Sequence, residues 1–320
     1  MRLILAPMQG LVDDVMRILL TDIGGFDACV SEFVRITHTV HSKPTWLKHA
    51  PELAHNSLTP SGVPCVVQLL GSDAPNMLAN ALNVVDYGAQ QIDLNFGCPA
   101  PTVNKHKGGA VLLKEPEAIY DIVHTLRQGL PDHIALTAKM RLGYEDKALA
   151  IECAQAIEAG GAAELVVHAR TKVEGYTPPA HWIWIRKIAQ AISIPVTANG
   201  DVFTLADYVQ IKQETGCASV MLGRGALMRP DLARRIKAYE AGTPIDEVAE
   251  ADWAQINAWL IEFVHLCVAK TGSDSKYPAA RFKQWLGMLK LVHPQAAALF
   301  GQIKTLKQAE DILAVLQAQA

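Results

Sequence analysis

The sequence predicts an α/β protein in which a (β/α)8, or TIM, barrel over residues 1–229 is followed by an all-helical domain over residues 230–320. Three observations predict this fold. Eight short apolar runs rich in β-branched residues alternate with helix-like stretches, which is typical of βαβ units and a parallel sheet. The runs end in polar or glycine-containing sequence, and strand signals stop after residue 230. A doubly wound open sheet is the competing fold, but polar ends on all eight runs favour one shared rim.

The elements follow one another at short intervals. The strand-like runs are residues 3–8, 28–34, 65–71, 91–98, 134–143, 164–170, 195–202 and 219–226. Helix-like stretches between them include residues 75–87, 115–129, 147–160 and 204–215.

Beyond residue 230 the apolar spacing predicts amphipathic helices over residues 253–267, 276–292 and 303–316, the second stopped by Pro294. The apolar face of the first is Trp253, Ile256, Leu260, Phe263, Val264 and Cys267, and that of the last is Ile303, Leu306, Ile312, Leu313 and Leu316.

Composition narrows the class of protein. The formal net charge of −3 means that any nucleic-acid binding must come from a local basic patch. The N-terminal apolar run meets Pro7 and is too short for a signal peptide, and no apolar stretch of about 18 residues predicts a membrane span. The six cysteines form no CxxC pair, which disfavours zinc and iron–sulfur sites. We therefore expect a cytoplasmic protein with free thiols and no metal. We also expect a monomer, although composition does not determine the oligomeric state.

The residues that end the predicted strands should lie together, because active sites of this fold are built at the carboxyl ends of its strands. No pair of carboxylates dominates there, which disfavours glycoside hydrolysis, and no cluster of His and carboxylates resembles a metal site. The rim instead combines amide, cationic and thiol side chains. They include Gln68, Asn95, Cys98, Lys139, Arg141, His168 and Arg170.

Two small-residue turns, residues 199–201 and residues 223–226, follow the last two strands. Backbone N–H groups in such turns can bind a phosphate, and Arg224 can add a bidentate contact. The same glycines could merely close turns, and a phosphate site does not distinguish a flavin from a sugar phosphate. Gln68 and Lys139 could reach the polar edge of a flavin ring, or could be surface-facing strand ends.

Cys98 differs from the other cysteines in its local sequence. It lies in a Gly-Cys-Pro turn at a strand end, where its side chain can project into a pocket. Free cysteines are most often buried core residues, and we expect that of the other five. These are Cys29, Cys65, Cys153, Cys217 and Cys267.

Two motifs occur in order on the predicted rim, Asn-Phe-Gly-Cys-Pro at residues 95–99 and His-Ala-Arg-Thr at residues 168–171. With them the chain resembles the tRNA-dihydrouridine synthases over nearly its whole length. Residues 31–35 and 281–286 make it most similar to the bacterial C-type enzymes, which act on uridine 16 of the D loop. Other matching segments are Ala6-Pro7-Met8, Gln68-Leu69, Gly108-Gly109-Ala110, Lys139-Met140-Arg141, Ala198-Asn199-Gly200-Asp201 and Gly223-Arg224-Gly225-Ala226.

The resemblance implies an FMN enzyme that uses NADPH to reduce uridine in tRNA to 5,6-dihydrouridine, with FMN in the barrel and tRNA on the helical domain. Cys98 would donate the proton to C5 after hydride reaches C6. Asn95, Lys139 and Arg170 would orient the uracil and stabilise charge on O4. The flavin ring would contact Pro7, Met8, Gln9, Gln68, Lys139 and His168, and its phosphate Asn199, Gly200, Asp201, Gly223 and Arg224.

Charge also points to RNA. Residues 270–307 contain seven Lys or Arg and one acid, on an otherwise acidic chain. We therefore expect tRNA contacts from the rim and this basic region. The expected residues are Arg35, Tyr176, Lys276, Arg281 and Lys283, the last three facing one groove. Alternatives are an FMN dehydrogenase of a free pyrimidine, similar to dihydroorotate dehydrogenase, which would not need the basic region, and a non-catalytic RNA-binding barrel.

Overall fold

The computed structural model describes residues 1–319 and contains one closed, all-parallel sheet. The strand β1 pairs with both β2 and β9, and β2 pairs with β4, so the sheet closes on itself. The predicted TIM barrel is confirmed, and the open sheet is wrong. The strands are β1 Arg2–Leu5, β2 Ala28–Val30, β3 Val34–Arg35, β4 Cys65–Leu70, β5 Gln91–Phe96, β6 Ala135–Arg141, β7 Glu164–His168, β8 Val196–Asn199 and β9 Ser219–Leu222.

The predicted strand over residues 28–34 is split in two. Both β2 and β3 pair with β4, at Cys29–Cys65 and at Val34–Leu69, so they share one of the eight strand positions. Glu32 lies between them, outside both strands, and its carboxylate accepts a hydrogen bond from the backbone N–H of Gly10.

Two apolar layers flank the sheet. The larger one fills the space between strands and outer helices. The smaller one lies inside the barrel, because alternate residues of a strand point inward. It consists of Ile4, Ala6, Ala28, Val30, Val66, Val166 and Met221.

The barrel helices are α1 Asp14–Ile23, α2 Lys43–His49, α3 Ala74–Asp86, α4 Pro101–Lys105, α5 Pro116–Gly129, α6 Ala150–Ala159, α7 Trp182–Ala191, α8 Leu205–Thr215, α9 Arg224–Met228 and α10 Leu232–Glu240. Short 3-10 helices span Pro51–His55, Gly109–Lys114 and Ile245–Glu247. Lys237 of α10 is 2.6 Å from the carboxylate of Asp27, which precedes β2. The eighth barrel helix therefore lies beyond the predicted boundary at residue 229.

The C-terminal helices are α11 Trp253–Thr271, α12 Lys276–Leu289, α13 Pro294–Ile303 and α14 Ala309–Gln317. The predicted face of α11 is confirmed, since Ile256, Leu260, Phe263, Val264 and Cys267 are buried and Trp253 packs against them. Within residues 1–319, no helix has both the length and the apolar character needed to cross a membrane.

The single helix predicted over residues 303–316 is wrong. A turn after Ile303 separates α13 from α14, and Lys283 of α12 donates a hydrogen bond to the backbone oxygen of Leu306 in that turn. Ile303, Ile312 and Leu316 are nevertheless buried, because the two helices cover the same core. Pro294 does not stop α12, which already ends at Leu289, but begins α13, where its missing N–H costs no hydrogen bond.

Candidate active site

A cavity of about 510 Å³ opens at the carboxyl ends of the strands, within the size range of small-molecule sites. The parallel register builds it, because Asn95 lies beside Lys139, and Arg141 lies beside His168, which lies beside Asn199. Most residues proposed from the sequence line this cavity. They are Pro7, Met8, Gln9, Asn95, Cys98, Lys139, His168, Tyr176, Asn199, Gly200, Asp201, Gly223 and Arg224.

The turn after β5 holds Cys98 at the cavity wall. Its backbone oxygen accepts hydrogen bonds from the Ala110 N–H at 3.1 Å and the Asn104 amide at 3.0 Å. Gly109 makes this approach possible, since it has a φ of 67° and a Cβ there would lie 2.9 Å from the Cys98 oxygen.

The Cys98 thiol is suited to donate a proton. Burial raises the pKa of Cys98, although the Ala100 N–H and Arg141 partly oppose that rise. The thiol is therefore protonated at neutral pH. All six cysteines are free and buried, and Cys98 alone among them lines the cavity.

Two cations and a neutral histidine form the floor beside Cys98. Burial lowers the pKa of Lys139 to about 8, and Arg141 adds to this effect. The Asp93 carboxylate partly opposes this shift, but among residues 1–319 Lys139 forms no salt bridge, so its charge is available to a ligand. Burial and the surrounding cations hold the pKa of His168 well below its usual value, so its imidazole is neutral and can both donate and accept a hydrogen bond.

The turn after β8 is braced from three sides. Gly200 has a φ of 128°, and a Cβ there would lie 3.3 Å from the His168 ring. The Trp182 indole donates to the Gly200 oxygen at 2.8 Å, so the start of α7 supports this turn. Asp201, in a left-handed conformation with a φ of 55°, accepts from Arg170 at 2.9 Å and from Arg224 at 3.1 Å.

Arg170 does not reach the cavity. Its side chain is fully buried, and it donates to the Thr177 oxygen at 2.8 Å as well as to Asp201. The structure therefore does not place Arg170 at the pocket expected to hold uracil, because both edges of its guanidinium bind the loop and the turn behind the site.

Arg224 is held between two aromatic rings. Its guanidinium carbon lies 4.8 Å from the centre of the Tyr176 ring and 5.3 Å from that of Phe203. Arg141 approaches the same Tyr176 ring at 5.2 Å. The Tyr176 side chain is 52% exposed and stands at the lip of the cavity, where a planar ring could stack on it.

Gln68 lies one layer behind the cavity. Its amide donates to Asp93 at 2.7 Å and accepts from Asn95 at 2.7 Å, and the residue has no exposed surface. A direct contact with a flavin would require Gln68 to exchange one of these partners.

The expected tRNA residues divide into two groups. Lys276 is exposed, and Arg35 and Lys283 are half-buried, all outside the cavity. Arg281 is buried and lies 3.0 Å from Asp13, and its guanidinium donates to the backbone oxygens of Gly10 and Leu11. The prediction that Arg281 faces one groove with Lys276 and Lys283 is wrong, because Arg281 points from α12 into the barrel.

Sequence reasoning placed Arg141 on the rim without assigning it a role, and it missed Phe203. Arg141 follows Lys139 by two positions on β6, and this spacing places both side chains on the same side of the sheet. Phe203, in the loop after β8, carries no sequence signal that distinguishes it from a core residue.

Fold and site define a TIM-barrel enzyme with a cationic rim pocket and a protonated thiol. In residues 1–319, no group of three or more His, Cys, Asp and Glu side chains is placed to hold a metal ion. The family model described as Dihydrouridine synthase (Dus) matches residues 4–319, and the chain belongs to this family.

Relatives match almost end to end. The chain is 65% identical, over 99% of its own length and 94% of the relative's, to a protein of Neisseria meningitidis serogroup A named tRNA-dihydrouridine(16) synthase. A protein of the same name from Aquipseudomonas alcaligenes is 47% identical over 98% of both chains. One from Shewanella oneidensis is 43% identical over 99% of this chain and 98% of its own.

A solved structure agrees with the fold. Histamine dehydrogenase from Rhizobium sp. 4-9 superposes with a TM-score of 0.56 over 83% of this chain and 49% of that one. At 15% identity this likeness bears on the barrel alone.

Proposed function

We propose that this chain reduces uridine to 5,6-dihydrouridine in tRNA, at position 16 of the D loop, with FMN as cofactor and NADPH as reductant. The observation that carries the proposal is the protonated Cys98 thiol in the same pocket as Lys139 and Asn95. The name shared by relatives with up to 65% identity supports the substrate and the position.

The residues of the pocket fit FMN. A phosphate would meet the backbone of Gly200 and Gly223 and the guanidinium of Arg224, which the flanking rings hold in place. Lys139, which forms no salt bridge within residues 1–319, suits the electron-rich edge of a flavin ring, and Met8 and Gln9 line the same pocket. Burial and Arg141 lower the pKa of Lys139 although Asp93 opposes them, so an anionic ligand would stabilise the charged form of Lys139.

When bound, FMN reduced by NADPH would supply a hydride to C6 of the uracil. The Cys98 thiol then donates its proton to C5, as a general acid. Asn95 and Lys139 orient the uracil and stabilise the charge that develops on O4. Arg170 contributes indirectly, because it holds Asp201 and the loop that carries Tyr176.

The tRNA would cover the rim and extend to the C-terminal domain. Tyr176 offers an exposed ring at the lip of the cavity, and Arg35, Lys276 and Lys283 offer charges for phosphates. An exposed basic segment, residues 105–107, follows the Cys98 turn and lies within reach of the same RNA. We place this activity in the cytoplasm.

A direct test compares substrates for the reduced, FMN-loaded protein. Oxidation of its flavin by tRNA, but not by free uridine or orotate, is the expected result. Rapid oxidation by a free pyrimidine, with no response to tRNA, would favour the free-pyrimidine dehydrogenase instead.

A further inference from the structure

A chain of hydrogen bonds beneath the pocket links three neighbouring strands. Thr137 of β6 and Gln68 of β4 both donate to the Asp93 carboxylate of β5, each at 2.7 Å. Asn95 Nδ2 donates to Gln68 Oε1 at 2.7 Å, and the Gly97 N–H donates to Asn95 Oδ1 at 2.9 Å. Of these side chains, Asn95 alone lines the pocket.

The groups at both ends of this series of hydrogen bonds can act in only one way, either as acceptor or as donor. Burial raises the pKa of Asp93 to about 6, so at neutral pH Asp93 is a carboxylate, which only accepts hydrogen bonds. At the other end the Gly97 N–H only donates. The two carboxamides between them satisfy both ends in one orientation, because turning either one would place N–H against N–H or oxygen against oxygen.

We propose that Asp93 is a positioning residue for base selection, which acts through Gln68 to fix the orientation of the Asn95 carboxamide toward the pocket. This inference rests on the proposed function. Uracil and cytosine differ where O4 accepts a hydrogen bond and N4 donates one. If the Asn95 carboxamide is held in one orientation, its N–H can face O4 of uracil and its oxygen can face N3–H. Cytosine places a donor, N4–H, where uracil has O4, and an acceptor, N3, where uracil has N3–H, so the same orientation does not match it.

The test measures the affinity of the FMN-loaded protein for two tRNA transcripts, with uridine or cytidine at position 16. The wild-type protein is expected to bind the uridine transcript roughly tenfold tighter or more. Asp93→Leu removes the acceptor for Gln68 and is expected to reduce the preference, since the Gly97 N–H alone then holds the Asn95 carboxamide. Asp93→Asn is the matched control that keeps the preference, because a carboxamide at position 93 can accept from Gln68 while it donates to Thr137.

Exchanging the carboxylate and the carboxamide between positions 93 and 68 tests the hydrogen bonds while keeping side chains of the same size at both positions. Gln68→Glu sets two carboxylates against each other and is expected to reduce the preference. Adding Asp93→Asn to it should restore the preference, since the carboxylate at position 68 then accepts from both neighbours. A purely structural role would weaken binding of both transcripts equally and leave their ratio unchanged.

A wild-type preference retained by Asp93→Leu with normal flavin content would overturn the inference. If Asp93→Leu does not fold, failure of the Gln68→Glu/Asp93→Asn pair to recover the preference would overturn it. Equal wild-type affinity for both transcripts, in a protein that still forms dihydrouridine, would also overturn it. Absence of dihydrouridine formation by the wild-type protein would instead contradict the proposed function.

Discussion

Arg281 of α12 and Asp13, which caps α1, form an ion pair at 3.0 Å between the helical domain and the barrel. Burial alone would raise the pKa of Asp13, but Arg281, the Tyr277 hydroxyl and the Met16 N–H together lower it. Arg281 also donates to the backbone oxygens of Gly10 and Leu11. The helical domain therefore holds the loop that carries Met8 and Gln9 into the pocket.

We predict that Arg281→Ala destabilises the fold by about 3 kcal/mol, because it leaves the half-buried Asp13 carboxylate without its cation. Urea denaturation measures this change, and the purified variant should contain less flavin. Lys276→Ala, an exposed position at the start of the same helix, is the control and should alter neither quantity. Normal stability of Arg281→Ala would show that the ion pair does not join the domains.

Cys98→Ala should bind FMN and tRNA normally but lose activity. Loss of a positioned general acid typically lowers the rate by about 10² to 10⁴. Single-turnover formation of dihydrouridine measures it, and Cys153→Ala, in the apolar core, should cost stability without changing the chemical step. The wild-type rate should decline only above the usual pKa range of a thiol, since burial raises the pKa of Cys98. A wild-type rate in Cys98→Ala would refute its role as the acid.

Affinity for FMN should fall as pH rises through about 8. The lowered pKa of Lys139 means that its ammonium group is charged below about 8 and neutral above it, and the charge attracts an anionic ligand. Flavin titrations at a series of pH values measure this. Lys139→Arg should remove this dependence because a guanidinium stays charged, and Lys139→Met should bind weakly throughout. A flat wild-type profile would place the flavin away from Lys139.

Arg224→Ala should weaken binding of FMN roughly 10- to 100-fold while changing the affinity for riboflavin little, because a charge-assisted contact to phosphate is lost. Fluorescence titration with the two flavins measures the difference. Arg186→Ala on α7, outside the pocket, is the control. Equal losses for both flavins would mean that Arg224 supports the Tyr176 and Phe203 rings rather than a phosphate.

Local pattern was enough to predict the barrel and most of the rim, since strand ends of a parallel barrel converge and their side chains alternate. It was not enough where a residue's role depends on a partner far along the chain. Arg170 and Arg281 look like free cations in the sequence, but Asp201 and Asp13 engage them inside the protein. Likewise, the break after Ile303 depends on packing against α12, and the apolar spacing of residues 303–316 gives no information about that packing.

The most direct measurement maps dihydrouridine by position in tRNA from cells that lack this gene, with and without a plasmid copy. The account predicts that dihydrouridine at position 16 is absent, returns with the wild-type copy and does not return with Cys98→Ala. Dihydrouridine still present at position 16 in cells without the gene, or lost from a different position, would contradict it.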